Sequence, residues 1–110
     1  MTDRELLKLA AKAAGFTDAA WAAEQESIYT AQAGKGFRPF WNPLKDDGDA
    51  LRLAVQLKMS MLLDSRGFRG PMTWVRAGET EKTQHHDGDP YAATRRAIVR
   101  AAAEIGKGME

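Results

Sequence analysis

The chain of 110 residues contains no cysteine, which excludes disulfide bonds and thiolate chemistry and permits a reducing compartment. An excess of one charge is also missing, because 16 basic residues stand against 15 acidic ones and leave a net charge of +1. Global electrostatics therefore favours neither nucleic acid nor a membrane surface as the partner.

Long apolar runs are missing as well. None approaches the roughly 20 residues that a membrane-spanning helix needs. Asp3 and Glu5 stand among the first residues, which is not typical of a signal peptide. With 44% hydrophobic and 28% charged residues, the composition is typical of a soluble globular protein, and the length predicts one domain over residues 1–110.

Recognisable catalytic motifs are the third absence. Gly-x-Ser-x-Gly, which presents a nucleophilic serine on a sharp turn, does not occur. The phosphate-binding loop Gly-x-x-x-x-Gly-Lys does not occur either. We therefore predict that the protein is not an enzyme, and we expect no catalytic residue, metal ion or cofactor.

What the sequence does contain is a set of well-marked helices. The first is predicted from about Asp3 to Ala14, with Thr2 as its N-cap and Gly15 as its end. The second is predicted from about Asp47 to Leu57, with Asp46 as its N-cap. Its apolar row includes Leu51, Ala54 and Val55, and we expect it to be the most buried of the helices.

The third helix is the clearest. Asp89 is its predicted N-cap, and Pro90 occupies the first helical position, where a missing N–H costs nothing. Its predicted buried stripe consists of Tyr91, Ile98, Ala102, Ile105 and Met109. Its predicted solvent-facing side consists of Arg96, Arg100, Glu104 and Lys107.

Strand-like segments separate the helices. Strands are predicted at residues 27–31, 37–41, 60–64, 72–77 and 79–86. Residues 18–26 are compatible with a loop or a short helical turn, and residues 65–71 with a loop. This order predicts an α+β fold in which an antiparallel sheet of about four to five strands is layered with three helices as an α-β-α sandwich. The exact faces and bounds of the strands within 18–40 and 65–86 stay open.

Several of these segments together resemble a known family. Trp41 to Leu44, Asp46 to Val55 and Tyr91 to Ala103, together with Leu9 to Gly15, resemble the phage ABA-sandwich domain family. The resemblance implies helix, sheet and helix layers, a phage or prophage gene and the cytoplasm of a bacterial host. It implies no established activity and no catalytic residues.

Two loops are the best candidates for ligand contact. Both place a glycine and an aromatic residue among basic residues, a composition that suits stacking on unpaired bases and contact with phosphates. The candidate residues are Lys35, Phe37 and Arg38 in the first loop and Arg66, Phe68 and Arg69 in the second. The alternative interpretation is two hairpin loops with one hydrophobic anchor each.

Three further residues are candidates for a protein interface. Trp21 is the tryptophan least expected in the core, and tryptophan is enriched at binding hot spots. Arg96 and Arg100 lie on the predicted outer side of the third helix. They suit a partner contact or, with Arg95, a phosphate contact, although Glu104 on the same side favours an ordinary solvated surface.

The acidic clusters are interpreted as caps. Asp46, Asp47 and Asp49 lack the alternating ligands of a calcium loop. The adjacent residues His85 and His86 would point to opposite faces of a strand, which disfavours a shared metal ion. From the family resemblance, the near-neutral charge and the missing catalytic motifs we expect a non-enzymatic phage accessory protein that binds another protein, and the alternative is a nucleic-acid-binding domain.

Overall fold

The computed structural model describes residues 1–67 and 70–109, without the side chains of residues 65–67. Three helices and six strands lie in this part of the chain. Their bounds are α1 Asp3–Ala13, β1 Ala20–Ala22, β2 Ser27–Tyr29, β3 Phe40–Trp41, α2 Asp47–Gln56, β4 Ser60–Gly67, β5 Gly70–Ala77, β6 Thr80–His85 and α3 Pro90–Lys107. The α+β class and the three helices are thereby confirmed.

The three predicted N-caps are confirmed. The side chains of Thr2, Asp46 and Asp89 each accept a hydrogen bond from the backbone N–H three residues later, at 3.1, 2.9 and 3.0 Å. Each cap satisfies one of the N–H groups that a helix start leaves without an intrahelical partner. Pro90 follows its cap at the first position of α3.

The end of α1 is fixed by Gly15. Its φ of +85° lies in the left-handed region that favours glycine. The backbone N–H of Phe16 then donates to the carbonyl of Ala11 at 3.1 Å, which is the long hydrogen bond of a Schellman motif. This turn places the Phe16 ring edge-on against Trp41, with ring centroids 5.2 Å apart.

The strands form two sheets rather than one. Sheet A has the order β1-β2-β3 and sheet B the order β4-β5-β6, and all pairs are antiparallel. The prediction of a single sheet of four to five strands is wrong on this point. Residues 18–26, which the sequence left as loop or helical turn, supply β1, where Trp21 pairs with Ile28. Alternation predicts that a segment is extended, but it does not say which segment becomes its neighbour.

The β4–β5 hairpin is longer than predicted. The pairing continues to Gly67 and Gly70, so most of the loop expected at residues 65–71 is strand. The register shifts between Leu62 and Ser65, so that two residues of β4 stand opposite the single residue Thr73. Such a bulge bends the strand and redirects its side chains.

Helix α3 is the centre of the fold. It packs against α1 and α2 and against strands β5 and β6. Ala97, Val99 and Ala101 on this helix are fully buried, and it has more buried residues than α2. The expectation that α2 is the most buried helix is therefore wrong, because Leu51 and Val55 are exposed.

The predicted stripe of α3 is buried only in its middle. Ile98 and Ala102 lie in the core, as predicted, and Ile105 is half-buried. Tyr91 and Met109 are exposed, which contradicts the prediction for the two ends. Tyr91 lies in the first turn of α3, before Arg96, which bonds to Asp3 at the start of α1, and Met109 follows the last residue of α3.

Helices α1 and α3 approach each other closely at Gly106. A Cβ atom at this position would lie only 2.0 Å from the carbonyl oxygen of Leu9.

Among the described helices, none has both the length and the apolar content needed to cross a bilayer.

Candidate functional site

An apolar groove of about 390 Å³ lies between α2, α3 and strand β4. Its floor contains Ala50 and Ile98, which are both core residues. Its lining residues are Asp47, Ala50, Leu51, Met61, Leu63, Pro90, Tyr91, Thr94, Arg95 and Ile98.

Large apolar side chains stand exposed around this groove. Leu51 is 56% exposed, Leu63 54% and Tyr91 70%. Val55, one turn after Leu51 on α2, is 69% exposed. We call these four residues, Leu51, Val55, Leu63 and Tyr91, the groove surface. A concave apolar site ringed by exposed apolar side chains is typical of a binding surface.

The groove exists because α3 packs over β5 and β6 and leaves the inner side of β4 at the margin of the helix. Met61 pairs with the buried Val75, so it points toward the helices. Leu63 follows at the bulge and lines the same groove. The uncovered inner side of β4 thus becomes the third wall of the groove.

The polar groups of the groove already have partners. Arg95 donates to Asp47 at 2.7 Å and to the backbone carbonyl of Leu44 at 2.8 Å. The hydroxyl of Thr94 lies 2.8 Å from that of the buried Thr73. A small polar substrate would therefore find few unpaired groups here, whereas apolar side chains would be buried favourably.

A buried carboxylate in the first turn of α2 has an environment that sequence reasoning missed. The Asp49 side chain is 1% exposed and lies 2.9 Å from the Lys35 amine and 2.8 Å from the Arg52 guanidinium. It also accepts the backbone N–H of Asn42 at 2.9 Å. The sequence places Arg52 one helical turn from Asp49, but nothing in it indicates the pairing with Lys35.

The three candidate residues of the first loop differ in their exposure to solvent. Lys35 is only 16% exposed and is held by Asp49, so its charge is not available at the surface. Phe37 is fully exposed, and Arg38 is exposed beside it. Of the three predicted contact residues, two therefore face solvent.

The second candidate loop falls largely outside the described part of the chain. Phe68 and Arg69 lie outside the described residues, and so does the side chain of Arg66. The backbone of Arg66 belongs to β4 and pairs with Pro71.

The predicted interface residues make internal contacts. Trp21 is half-buried, and the guanidinium of Arg4 lies 5.7 Å from its ring centroid. Arg96 donates to Asp3 at 2.9 Å, which ties α3 to the start of α1. Arg100 donates to the carbonyl of Thr83 and to the side chain of Gln84, both at 3.0 Å, which ties α3 to β6. Trp21 and Asp3, the partner of Arg96, line one small hollow at the start of α1, whereas Arg100 is bound to β6.

Three residues of the acidic and histidine clusters, Asp46, Asp89 and His86, have structural partners. Asp46 and Asp89 are caps, as predicted, whereas the side chains of Asp47 and Asp49 are bound to basic side chains. The His86 Nε2 atom lies 2.9 Å from the Thr73 hydroxyl. Over residues 1–67 and 70–109, no group of three or more histidine, aspartate or glutamate side chains is arranged to hold a metal ion.

Among the described residues, the carboxyl groups of Asp46 and Asp18 have a lowered pKa, and neither residue lines the groove. The backbone N–H of Asp49 lowers the pKa of the Asp46 carboxyl, and the positive charge of Lys35 contributes. The hydroxyl of Thr30 lowers the pKa of the Asp18 carboxyl, and the backbone N–H of Ala31 contributes at 3.0 Å. A lowered pKa moves a carboxyl away from the neutral range that general acid–base catalysis uses.

Comparison of the chain with protein families, with curated proteins and with solved structures finds no match.

Proposed function

We propose that the protein is a small non-enzymatic accessory protein that acts by binding another protein chain through the groove surface. The observation that carries this proposal is the apolar groove itself, with Leu51, Leu63 and Tyr91 exposed in its lining and Val55 exposed one turn after Leu51 on α2. Exposing such side chains to water is unfavourable, and covering them with a partner releases that free energy.

The paired polar groups at the groove support a binding role over catalysis. Arg95 and Asp47 neutralise each other at the rim, and Thr94 is bonded to Thr73. A catalytic site uses polar groups that converge on a reacting atom and have matched acidity. The groove instead offers an apolar floor and apolar walls.

Site-specific photo-crosslinking tests the proposal. Benzoylphenylalanine replaces Tyr91 in the groove surface, and the matched control replaces Phe37, which is also aromatic and exposed but lies in the loop before β3. We expect covalent protein adducts from position 91 that Leu51→Glu abolishes. Adducts of equal yield from both positions, or none from position 91, would contradict the proposal.

The second candidate function is nucleic-acid binding through the first loop. Phe37 is fully exposed and Arg38 is exposed next to it, a pair suited to stacking on an unpaired base and contacting its phosphate. A fluorescent single-stranded oligonucleotide titrated at several salt concentrations tests it. Affinity that falls steeply with salt and is lost in Phe37→Ala would favour this function, and absence of binding at low salt would remove it.

The phage connection is part of the proposal. It is supported by the resemblance of segments such as Asp46 to Val55 and Tyr91 to Ala103 to the phage ABA-sandwich family. We expect the gene to lie among phage or prophage genes and the protein to act in the cytoplasm of the bacterial host. A gene surrounded by unrelated chromosomal genes would contradict this expectation.

A further inference from the structure

We infer that a second site, separate from the groove, binds a small organic monocarboxylate that has an apolar body. The site is a hollow of about 210 Å³ between the start of α1, the β1–β2 hairpin and the segment that precedes α2. Its lining residues are Asp3, Arg4, Leu7, Trp21, Glu26, Asn42, Leu44 and Lys45. The groove is lined by other residues, so this inference is independent of the proposed function.

The first argument is that a buried amide fixes the walls of the hollow. Asn42 is 6% exposed, and its Nδ2 atom donates to the backbone carbonyl of Glu26 at 2.8 Å. Its Oδ1 atom accepts the backbone N–H of Leu44 at 3.0 Å. One side chain therefore holds the turn before β2 against the segment before α2. The hollow is preformed, which spares a ligand the cost of ordering its walls.

The second argument is the charge of the hollow. The carboxylate of Asp3 is bound to Arg96 at 2.9 Å, and that of Glu26 to Lys45 at 3.1 Å. Within the described part of the chain, the guanidinium of Arg4 has no carboxylate partner. The charged lining residues and their partners thus comprise three cations and two anions, an excess of one positive charge. A ligand with one negative charge neutralises this excess, whereas the two carboxylates would repel a more highly charged anion.

The third argument is that a guanidinium and an apolar lining occur together. The guanidinium of Arg4 lies 5.7 Å from the centroid of the Trp21 ring, which holds it beside the hollow. A planar guanidinium can donate two parallel hydrogen bonds to a carboxylate or a phosphate. Leu7, Leu44 and Trp21 add an apolar part of the lining that inorganic phosphate could not use. Pockets for drug-sized ligands enclose about 300–1,000 Å³, so this hollow suits a smaller molecule.

Titration with three matched ligands at neutral pH, followed by two-dimensional amide NMR, tests the inference. Isocaproate, a branched apolar monocarboxylate, should shift the indole N–H signal of Trp21 saturably, with a dissociation constant of about 1 mM or lower. The indole signal of Trp74, whose N–H is bonded to Glu81 in sheet B, should stay in place. Isocaproamide has the same shape without the charge, and acetate has the charge without the apolar body. Each should bind at least about tenfold more weakly than isocaproate.

Substitution of Arg4 provides a second readout. Arg4→Gln should raise the dissociation constant of isocaproate by about tenfold or more, because charge-assisted hydrogen bonds are lost. Lys8→Gln is the matched control, since Lys8 is exposed one turn later on α1 and does not line the hollow, and it should leave the dissociation constant unchanged. Both side chains are exposed, so circular dichroism should show an unchanged fold for both variants.

Four outcomes would overturn the inference. The first is the absence of a saturable shift of the Trp21 signal with isocaproate. The second is equal affinity for acetate, which would show a site for the anion alone. The third is equal affinity for isocaproamide, which would show that the charge is not recognised. The fourth is an equal effect of Arg4→Gln and Lys8→Gln, which would place the binding elsewhere. None of these results bears on the groove, which is tested by crosslinking at position 91.

Discussion

At the scale of single residues, Asp49 has the most demanding environment in the described chain. Its carboxylate is buried, and a buried charge is tolerated only when charged or hydrogen-bonding partners surround it. Lys35, Arg52 and the backbone N–H of Asn42 supply these partners. The sequence suggested only an acidic residue in the first turn of a helix, because Lys35 is brought to it by the tertiary fold.

Removing the Asp49 carboxylate should be costly. Asp49→Ala leaves the mostly buried amine of Lys35 without its counter-ion and should lower the free energy of unfolding by about 3–5 kcal/mol. Arg52→Gln is the matched control, since Arg52 is largely exposed and its loss should cost no more than about 1 kcal/mol. Urea denaturation measures both. A loss below about 1 kcal/mol for Asp49→Ala would show that the ion pairs contribute little.

The cap residue Asp46 should make stability sensitive to acid. Its pKa is lowered in the folded chain, so its ionised form favours folding above the unfolded pKa, and this contribution is lost as the pH falls through the folded pKa. We expect the urea midpoint to decline from about pH 4 downward. Asp46→Asn keeps a capping oxygen but cannot be protonated, so its acid decline should be shallower. The pKa of Asp18 is also lowered, so Asp18 should account for part of the acid decline that remains in Asp46→Asn. Superimposable acid profiles for the variant and the native chain would contradict this assignment.

At the scale of elements, the sequence correctly predicted where the helices begin, but it did not correctly predict which parts of their apolar faces are buried. Caps at Thr2, Asp46 and Asp89 depend on contacts within one turn, so local sequence predicts them. Periodicity placed Leu51 and Tyr91 on apolar faces, yet both are exposed. A repeating pattern says which residues share a face, but only the neighbouring elements decide how much of that face is covered.

The contact between α1 and α3 should depend on Gly106. Gly106→Ala would place a Cβ atom 2.0 Å from the Leu9 carbonyl oxygen, so the helices must move apart, at a cost of about 1–3 kcal/mol or more. Gly108→Ala is the matched control, because its Cβ would meet nothing closer than 3.6 Å and its φ is −82°. The control should be neutral or stabilising by up to about 1 kcal/mol. Thermal and urea unfolding compare the two variants, and equal effects would exclude a close approach at Gly106.

At the scale of the whole molecule, α3 connects parts that the sequence assigned to one sheet. It packs on β5 and β6 of sheet B and also against α1, which in turn contacts β1 and β2 of sheet A. Sheet A therefore packs against α1 and sheet B against α3, and the two sheets are separate. This arrangement predicts unequal resistance to local opening.

Native-state hydrogen exchange should reveal that inequality. The amides of Val99, Ala101 and Ala102 in α3 are buried at the centre and should exchange only through global unfolding. The amides of β1, a three-residue edge strand, should exchange through local opening at a lower free energy. Comparison of exchange free energies with the urea value checks both. Equal protection of β1 and α3 would show that the molecule opens as one unit.

The sequence by itself determined the α+β class, the three helices with their caps, the Gly15 turn and most of the extended segments. These features depend on backbone chemistry and periodicity within about one or two turns of chain. The tertiary structure alone decided the division into two sheets, the pairing of Lys35 with Asp49, and the exposure of Leu51 and Tyr91 beside the groove. These features depend on contacts between residues far apart in the chain, whose identity no local pattern specifies. The candidate site belongs to this second group, because its floor, walls and rim come from three separate elements.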